Sequence, residues 1–230
     1  HFYSLLPAFL DDRYIKVDGK PLFVIFKPNK LPQPAETIKL WKNLAKESGL
    51  PGLYIVGINS ERSQGSYQKN LGFDASIVNR YPWPDKQNYD VLLKFLFKAF
   101  GRTRGKKLYQ ILFKKPYHVY SFKNIDPDFV VSEDLDYEYY PCVVSNWDNT
   151  PRFGLRGKVA LDLSPDLFRK QLKKAIMRVN NNPDDHRIVF IKSWNEWAEG
   201  NYLEPDIKLG HAYLQAIRDA FDDFNRSPYH

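Results

Sequence analysis

The feature that most constrains the fold is a series of short apolar runs that do not alternate with polar residues. Residues 22–26 read Leu-Phe-Val-Ile-Phe, and residues 53–58 read Leu-Tyr-Ile-Val-Gly-Ile. A strand with one solvated face alternates, so an unbroken run is typical of a strand that is buried on both faces, as in a parallel sheet. Residues 73–78, 140–145 and 187–192 complete the series. The sequence therefore predicts five buried strands.

Helical segments separate these runs. Residues 35–47 predict a helix that Gly49 ends, and Ser164 with Pro165 begins another that runs to about Val179. The remaining elements are a helix end at residues 2–10, a hairpin over residues 14–22 that turns at Asp18-Gly19, and a last amphipathic helix at residues 210–224. Strands that alternate with helices are typical of an α/β fold.

The number of strands sets how much of the fold the chain covers. A (β/α)8 barrel of the TIM type needs eight strands, and five are predicted here. The chain also opens inside a helix. We therefore expect residues 1–230 to form the C-terminal part of a single barrel domain, about the last five β/α units, with about three units before His1. A five-stranded doubly wound sheet is the alternative.

The segment 82–137 is too long for an ordinary barrel connection, and we interpret it as an inserted subdomain. Between Asp90 and Asp126 it has no acidic residue. The chain has a net charge of +7, and outside this stretch its acidic and basic residues nearly balance. This stretch carries Lys94, Lys98, Arg102, Arg104, Lys106, Lys107, Lys114, Lys115 and Lys123. Such a patch indicates an anionic partner or a membrane surface, reached through residues 91–123, and does not predict nucleic-acid binding. The alternative is a helix packed on the barrel with Lys94 and Lys98 solvated.

Cysteine and histidine usage limits the chemistry. The single cysteine, Cys142, excludes an internal disulfide framework and a Cys-rich zinc site, and it fits a reducing cytoplasm. The five histidines show no His-x-x-x-His spacing, so a catalytic zinc is not expected, and no cofactor is predicted. No apolar run approaches the roughly 18 residues that span a bilayer. We expect a cytoplasmic protein, with a peripheral contact at the inner membrane.

Acidic and aromatic side chains crowd the segment after the fifth run. Glu196 and Glu199, the predicted catalytic residues, lie three residues apart where a strand meets a turn. The residues beside them that are predicted to bind the sugar are Asn195, Trp197, Tyr202 and Glu204, and for Glu204 the alternative is that it fixes the loop. Barrel active sites lie at the C-terminal ends of strands, and glycoside chemistry needs two carboxyl groups, one of them protonated. An apolar neighbour such as Trp197 helps to hold a carboxyl protonated. The alternative is a structural loop whose acids bind backbone amides.

A second polar cluster follows the fourth run. Trp147 is placed to stack on a sugar ring, Asp148 and Asn149 to bind hydroxyls, and Arg152 to bind a phosphate or carboxylate of the ligand. The alternative is an Asx-type turn in which Trp147 packs as a plug.

These motifs also carry a resemblance. They are Leu6-Pro7-Ala8-Phe9, the segment 13–23, Trp147-Asp148-Asn149-Thr150, and Trp194-Asn195-Glu196-Trp197-Ala198-Glu199-Gly200 with Tyr202-Leu203-Glu204-Pro205. In them the chain resembles the WbsX-type proteins of bacterial surface-polysaccharide gene clusters, which are labelled glycosyltransferases. Those are similar in turn to glycoside hydrolase family 99, the endo-α-mannosidases and endo-α-mannanases.

The resemblance implies a (β/α)8 barrel and a retaining reaction on mannose-like units through a 1,2-anhydro sugar. Glu196 matches the base that acts on the sugar 2-hydroxyl, and Glu199 matches the general acid/base. Ala198 stands where the hydrolases commonly have His. The implied partners are a glycan or glycosyl donor and an acceptor.

Two rival functions remain. A nucleotide-sugar-dependent glycosyltransferase would need a Gly-rich phosphate loop, which follows no predicted strand, or an Asp-x-Asp pair such as Asp126-Pro127-Asp128. A non-catalytic glycan-binding or scaffold protein of a polysaccharide assembly complex would not need two carboxyl groups in one loop.

Overall fold

The computed structural model of the protein describes residues 1–59, 63–78, 91–116, 118–122 and 135–226. The chain divides into two compact units. The first unit comprises His1–Tyr81, Val130–Cys142 and Ala175–Phe190, and the second comprises Pro82–Phe129, Val143–Lys174 and Ile191–His230. Of the predicted insertion, residues 82–137, the positions 82–90, 117 and 123–134 lie outside the described residues, and so does the Asp126-Pro127-Asp128 pair.

Strands and helices alternate along most of the described chain. The strands are β1 (Lys16–Val17), β2 (Lys20–Ile25), β3 (Tyr54–Asn59), β4 (Ala75–Val78), β5 (His118–Ser121), β6 (Tyr139–Val144), β7 (Lys158–Leu161), β8 (Phe190–Lys192), β9 (Asn195–Glu196) and β10 (Asn201–Tyr202). The helices are α1 (Phe2–Phe9), α2 (Pro34–Glu47), α3 (Ser63–Asn70), α4 (Val91–Phe113), α5 (Thr150–Phe153), α6 (Pro165–Val179) and α7 (Ala212–Asn225).

The main sheet contains all five predicted strands and confirms the α/β fold. Its order is β1-β2-β3-β4-β6-β8, in which β2, β3, β4 and β6 pair in parallel and β1 joins β2 as the predicted hairpin. The order follows the sequence without reversal, whereas a doubly wound sheet reverses its order at a switch point. The sheet therefore argues against the doubly wound alternative.

The core of the first unit explains why the runs do not alternate. Val17, Val56, Ile77 and Tyr140 are buried on one side of the sheet. Ile55, the neighbour of Val56, is buried with α1 and α2 on the other side. Both faces of β3 are thus covered, and every position along it favours an apolar residue.

The fifth strand is shorter than its apolar run. We predicted residues 187–192, and β8 spans Phe190–Lys192. The preceding single turn of 3-10 helix, Asp184–His186, takes up the backbone N–H groups of Arg187 and Ile188, which bond to Asp184 and His186. These amides are therefore committed to a turn before the strand begins.

Several elements of the second unit were not predicted. β5 and β7 pair in parallel, with Val119 opposite Val159, and β9 and β10 form a short antiparallel pair. Each is four residues long or less, too short for a clear periodicity. The helix that carries Lys94 and Lys98 extends from Val91 to Phe113, with a break at Gly101, whose φ of 75° is not helical.

Candidate active site

The segment after β8 folds into a tight hairpin. β9 and β10 pair with Glu196 opposite Asn201 and Asn195 opposite Tyr202. Trp197–Glu199 forms one turn of 3-10 helix between them, and Gly200 closes the turn with a φ of 57°. This left-handed conformation favours glycine. The hairpin therefore presents Glu196 and Glu199 from one short loop at the carboxyl end of β8.

The loop after β6 is organised by its own side chains. Oδ1 of Asp148 accepts hydrogen bonds from the N–H of Thr150 at 2.9 Å and from its hydroxyl at 2.6 Å. Oδ1 of Asn149 accepts the N–H of Lys158 at 2.6 Å. This is the Asx-type turn that the sequence left as an alternative. The turn presents Arg152 from α5, while the contact of Asp148 and Asn149 with a sugar stays a prediction.

Hydrogen bonds to backbone carbonyls join the two loops directly. The N–H of Asp148 donates to the carbonyl of Glu199 at 2.8 Å, and Nδ2 of Asn201 donates to the carbonyl of Asn146 at 2.5 Å. The Cα of Gly200 also lies close to Asp148, because a Cβ there would stand 2.9 Å from the Asp148 backbone nitrogen and oxygen. The two predicted clusters are therefore one site.

Arg152 connects both predicted catalytic residues. Its Nη2 lies 2.9 Å from Oε1 of Glu196, and its Nη1 lies 2.9 Å from Oε1 of Glu199. One planar guanidinium thus holds two carboxylates, a geometry that a lysine cannot reproduce. The sequence predicted Arg152 to bind an anionic group of the ligand. The structure pairs Arg152 with two anions of the protein itself, and its contact with a ligand stays a prediction.

Lys192 is a member of the site that the sequence did not predict. Its Nζ lies 3.6 Å from Oε2 of Glu199 and 4.6 Å from the centroid of the Trp147 ring. Glu199 therefore lies between two cations, and its side chain is 17% exposed against 38% for Glu196. The available signal was the position of Lys192 as the last residue of β8, directly before the acidic loop.

The Trp197 ring is held by two neighbours and is about half exposed. It stacks on Tyr202 with centroids 3.9 Å apart and planes at 19°, and its Nε1 donates to Oε2 of Glu204 at 2.7 Å. Burial, reinforced by a hydrogen bond with Asp206, raises the pKa of Tyr202. The structure places Glu204 as the acceptor that orients Trp197. Asn195 is exposed, on β9 opposite Tyr202.

Two side-chain hydroxyls hold the backbone next to the site. The Tyr213 hydroxyl, on α7, donates to the carbonyl of Ser145 at 3.0 Å, and the Tyr213 ring packs edge-on against Phe168 of α6. The Ser193 hydroxyl donates to the carbonyl of Asn201 at 2.7 Å. The end of β6 is thus bonded to α7, and the end of β8 is bonded to β10. These bonds position the loops that follow the two strands.

A cluster of metal-ligand types in the first unit was not predicted. Asp18, Asp185 and His186 bring ligand atoms within 4.8 Å of one another. Nε2 of His186 lies 2.9 Å from Oδ1 of Asp18, and Oδ2 of Asp185 accepts the N–H of Asp18 at 2.6 Å. Through these bonds, Asp185 and His186 hold Asp18 and so fix the turn between β1 and β2. Sequence spacing gave no signal, because 167 residues separate Asp18 from Asp185.

Known structures share the fold. A glycoside hydrolase-like protein matches with a TM-score of 0.57 and 17% identity, over 96% of this chain and 59% of that one. A GH99 endo-alpha-mannosidase from Bacteroides thetaiotaomicron matches with a TM-score of 0.55 and 17% identity, over 98% of this chain and 61% of that one. The same enzyme in complex with BIS-TRIS-propane gives 0.54 and 16%, over 98% and 64%.

Sequence comparison reaches closer relatives. The uncharacterized protein WxcX of Xanthomonas campestris pv. campestris strain B100 is 31% identical over 210 residues, which is 90% of this chain and 28% of WxcX. WxcX of a second strain matches equally. The chain thus spans about a quarter of the length of these relatives. The family model described as Glycosyltransferase WbsX matches residues 1–217. By that match, which includes both loops of the site, the chain belongs to the WbsX glycosyltransferase family.

Proposed function

We propose that this protein is a carbohydrate-active enzyme that cleaves or transfers mannose-like glycosyl units of bacterial surface polysaccharides with retention of configuration. One observation carries the proposal: Glu196 and Glu199, from one loop, share the single guanidinium of Arg152. Two carboxylates around a common centre are what a retaining glycosyl reaction requires. Membership of the WbsX family and the fold shared with an endo-alpha-mannosidase support it.

In the first step, Glu196 takes the proton of the sugar 2-hydroxyl. The freed O2 attacks the anomeric carbon and forms a 1,2-anhydro sugar, while Glu199 gives its proton to the departing glycosidic oxygen. In the second step, Glu199 takes a proton from the acceptor, whose oxygen attacks the anomeric carbon. The bond to O2 breaks, and Glu196 returns its proton to O2. Two inversions at the anomeric carbon give net retention.

Arg152 sets a condition on this sequence. Each carboxylate accepts an N–H from Arg152 through its Oε1. The departing glycosidic oxygen has to reach an oxygen of Glu199, and Arg152 occupies Oε1. The second neighbour of Glu199, Lys192, lies 3.6 Å from the other oxygen. We infer that substrate entry moves Arg152 away from Glu199.

The aromatic side chains supply the sugar contacts. Trp197 is 45% exposed, so one face of its ring is accessible while Tyr202 covers the other. A fixed aromatic face matches the apolar C–H face of a sugar and loses little entropy on binding. We therefore propose Trp197 as a stacking platform. Trp147, packed beneath Lys192, forms part of the wall beside Glu199.

The donor and acceptor are the proposed partners, and the proposed place of action is the cytoplasmic side of the inner membrane. The second unit contains the basic stretch on which this placement rests. None of the helices in the described ranges combines the length and the apolar character needed to cross a bilayer.

The test measures turnover of two donors, α-mannosyl fluoride and a mannan oligosaccharide, by Glu196→Gln and Glu199→Gln. Glu36→Gln, on the exposed face of α2, is the control. Fluoride is a good leaving group and needs little acid assistance, unlike a sugar oxygen in a mannan oligosaccharide. We expect Glu199→Gln to lose oligosaccharide turnover by about 10²–10⁴-fold, the usual contribution of general acid–base catalysis. With α-mannosyl fluoride it should keep the first step, and azide should accelerate the second step, because azide attacks the anomeric carbon without help from a general base.

Glu196→Gln should lose turnover of both donors, and azide should not restore it, because no base remains for the 2-hydroxyl. Glu36→Gln should match wild type. Transfer from a nucleotide sugar that survives both substitutions would instead indicate a conventional nucleotide-sugar-dependent transferase. Glycan binding without any turnover, unchanged in both variants, would indicate a scaffold protein.

A further inference from the structure

The helix α4 is a hairpin of two packed helices. Its backbone leaves the helical conformation at Gly101, where φ is 75° and ψ is 163°. Leu93 and Leu96, before the break, form a buried cluster with Tyr109, after it. The two halves approach closely at Gly105, where a Cβ would stand 2.9 Å from the carbonyl oxygen of Leu96. We refer to residues 91–113 as the helical hairpin.

The outer surface of the helical hairpin is strongly apolar. Six of its large apolar side chains, which are between 40% and 81% exposed, are Val91, Phe95, Phe100, Ile111, Leu112 and Phe113. Single exposed apolar residues are ordinary, but a group of this size on one small element marks an interaction surface. The inner cluster of Leu93, Leu96 and Tyr109 already accounts for the folding of the hairpin, so the outer residues serve another contact.

Every charged residue of the helical hairpin is basic. Exposed side chains on the helical hairpin include Lys94, Lys98, Arg102, Arg104 and Lys107, and Lys114 and Lys115 follow it directly. No Asp or Glu occurs from residue 91 to residue 125. Because the stretch itself contains no acid, it attracts anions and repels a second copy of itself.

We propose that the helical hairpin docks on the surface of an anionic lipid bilayer. Phe95 and Phe100 enter the boundary between headgroups and acyl chains, while Lys94, Lys98 and Arg102 bind lipid phosphates. Aromatic and aliphatic side chains beside lysine and arginine are the composition of interfacial helices. An apolar protein partner would leave the charges unexplained, and a nucleic acid would leave the exposed aliphatic side chains unexplained. An anionic bilayer matches both.

This contact is independent of the carboxylate chemistry, because none of the residues that carry it belongs to the site around Arg152. Attraction to an anionic leaflet is worth about fivefold in binding for each basic side chain near the surface. It weakens as salt shortens the roughly 10 Å screening length found at 0.1 M.

The experiment is co-sedimentation of the protein with vesicles of phosphatidylcholine alone or with roughly 30% phosphatidylglycerol, an anionic lipid. We expect binding to the anionic vesicles only, weakened at high salt. Lys94→Gln/Lys98→Gln/Arg102→Gln should reduce it by more than about tenfold. Phe95→Ser/Phe100→Ser should reduce it at every salt concentration, because it removes the inserted rings.

The matched control is Lys39→Gln/Leu40→Ser/Lys46→Gln, which makes the same kinds of change on the exposed face of α2. It should bind anionic vesicles as wild type does, and so should Glu196→Gln. Equal binding to neutral and anionic vesicles, or unchanged binding by the hairpin variants, overturns the proposal. So does a wild-type dimer that becomes a monomer in Phe95→Ser/Phe100→Ser, because the surface is then an interface between two copies.

Discussion

The backbone N–H of Asp148 donates a 2.8 Å hydrogen bond to the carbonyl oxygen of Glu199. This bond ties the loop after β6 to the acidic loop after β8 at the residue proposed as general acid/base. A buried polar atom of the backbone is costly to leave unpaired, so the two loops keep one relative position. The salt bridges from Arg152 then form between groups that the backbone has already placed.

Gly200→Ala should disrupt this junction. Gly200 has a φ of 57°, and an added Cβ would stand 2.9 Å from backbone atoms of Asp148. The positive φ costs about 1 kcal/mol, and the clash adds about 1–3 kcal/mol. We expect the free energy of unfolding, measured with denaturant, to fall by about 2–4 kcal/mol, with activity reduced in the same variant.

Gly210→Ala is the control for that substitution. Gly210 has nearly the same φ, 55°, but its Cβ would meet no atom within 4 Å. It should therefore show only the cost of the conformation, about 1 kcal/mol. Equal losses in the two variants would mean that the approach of Gly200 to Asp148 contributes nothing.

Arg152→Lys should separate catalysis from stability. An ammonium group cannot hold Glu196 and Glu199 together as the guanidinium does, so we expect kcat/KM to fall by about 10–100-fold. The pairs are partly exposed, and stability should change by no more than about 1 kcal/mol. Arg169→Lys, which alters the pair with Asp223 between α6 and α7, should keep full activity. Wild-type turnover in Arg152→Lys would remove Arg152 from the mechanism.

Glu204 can be tested as a positioning residue. Glu204→Gln keeps an oxygen that accepts the Trp197 indole N–H, whereas Glu204→Leu does not. We expect Gln to preserve KM and Leu to raise it about 5- to 30-fold, the cost of about 1–2 kcal/mol for one lost hydrogen bond. Trp197 fluorescence should change only in Glu204→Leu. An equal rise in KM in both variants would indicate that the charge of Glu204 contacts the sugar directly.

The Asp18–His186 contact predicts a pH dependence of stability. The hydrogen bond from His186 lowers the pKa of Asp18 below its ordinary value. A carboxyl whose pKa is lower in the folded state stabilises the protein above its ordinary pKa, about 3.9, and loses that effect as the pH falls through the lowered pKa. Asp18→Asn should lower the melting temperature slightly at pH 6. The lost free energy of unfolding should be less than about 1 kcal/mol, as is typical of exposed pairs.

At pH 2.5 the difference between Asp18→Asn and wild type should shrink. Asp18 has a φ of 50°, a conformation that asparagine tolerates, so the substitution adds no backbone strain. Asp12→Asn is the control, because Asp12 is fully exposed and its Oδ1 lies 3.9 Å from Nζ of Lys16. A difference for Asp18→Asn that persists unchanged at pH 2.5 would mean that the charge of Asp18 does not contribute.

The sequence predicted what depends on local pattern. Continuous apolar runs gave β2, β3 and β4, since each position of a strand covered on both faces favours an apolar residue. The cap of α6 was also local, and the Ser164 hydroxyl accepts the N–H of Leu167 at 3.2 Å. Short elements such as β5 and β7 were missed, because four residues carry too little periodicity.

At the candidate site, the sequence by itself determined which side chains stand where strands end. It placed Glu196 and Glu199 after β8 and Arg152 after β6, because strand and turn signals lie within a few residues of one another. Only the tertiary structure decided the partner of Arg152, which the sequence assigned to the ligand. Its contact with Glu196 spans 44 residues and forms because neighbouring strands bring their loops together. Lys192 and Glu204 acquired their contacts in the same way, through packing that no local pattern encodes.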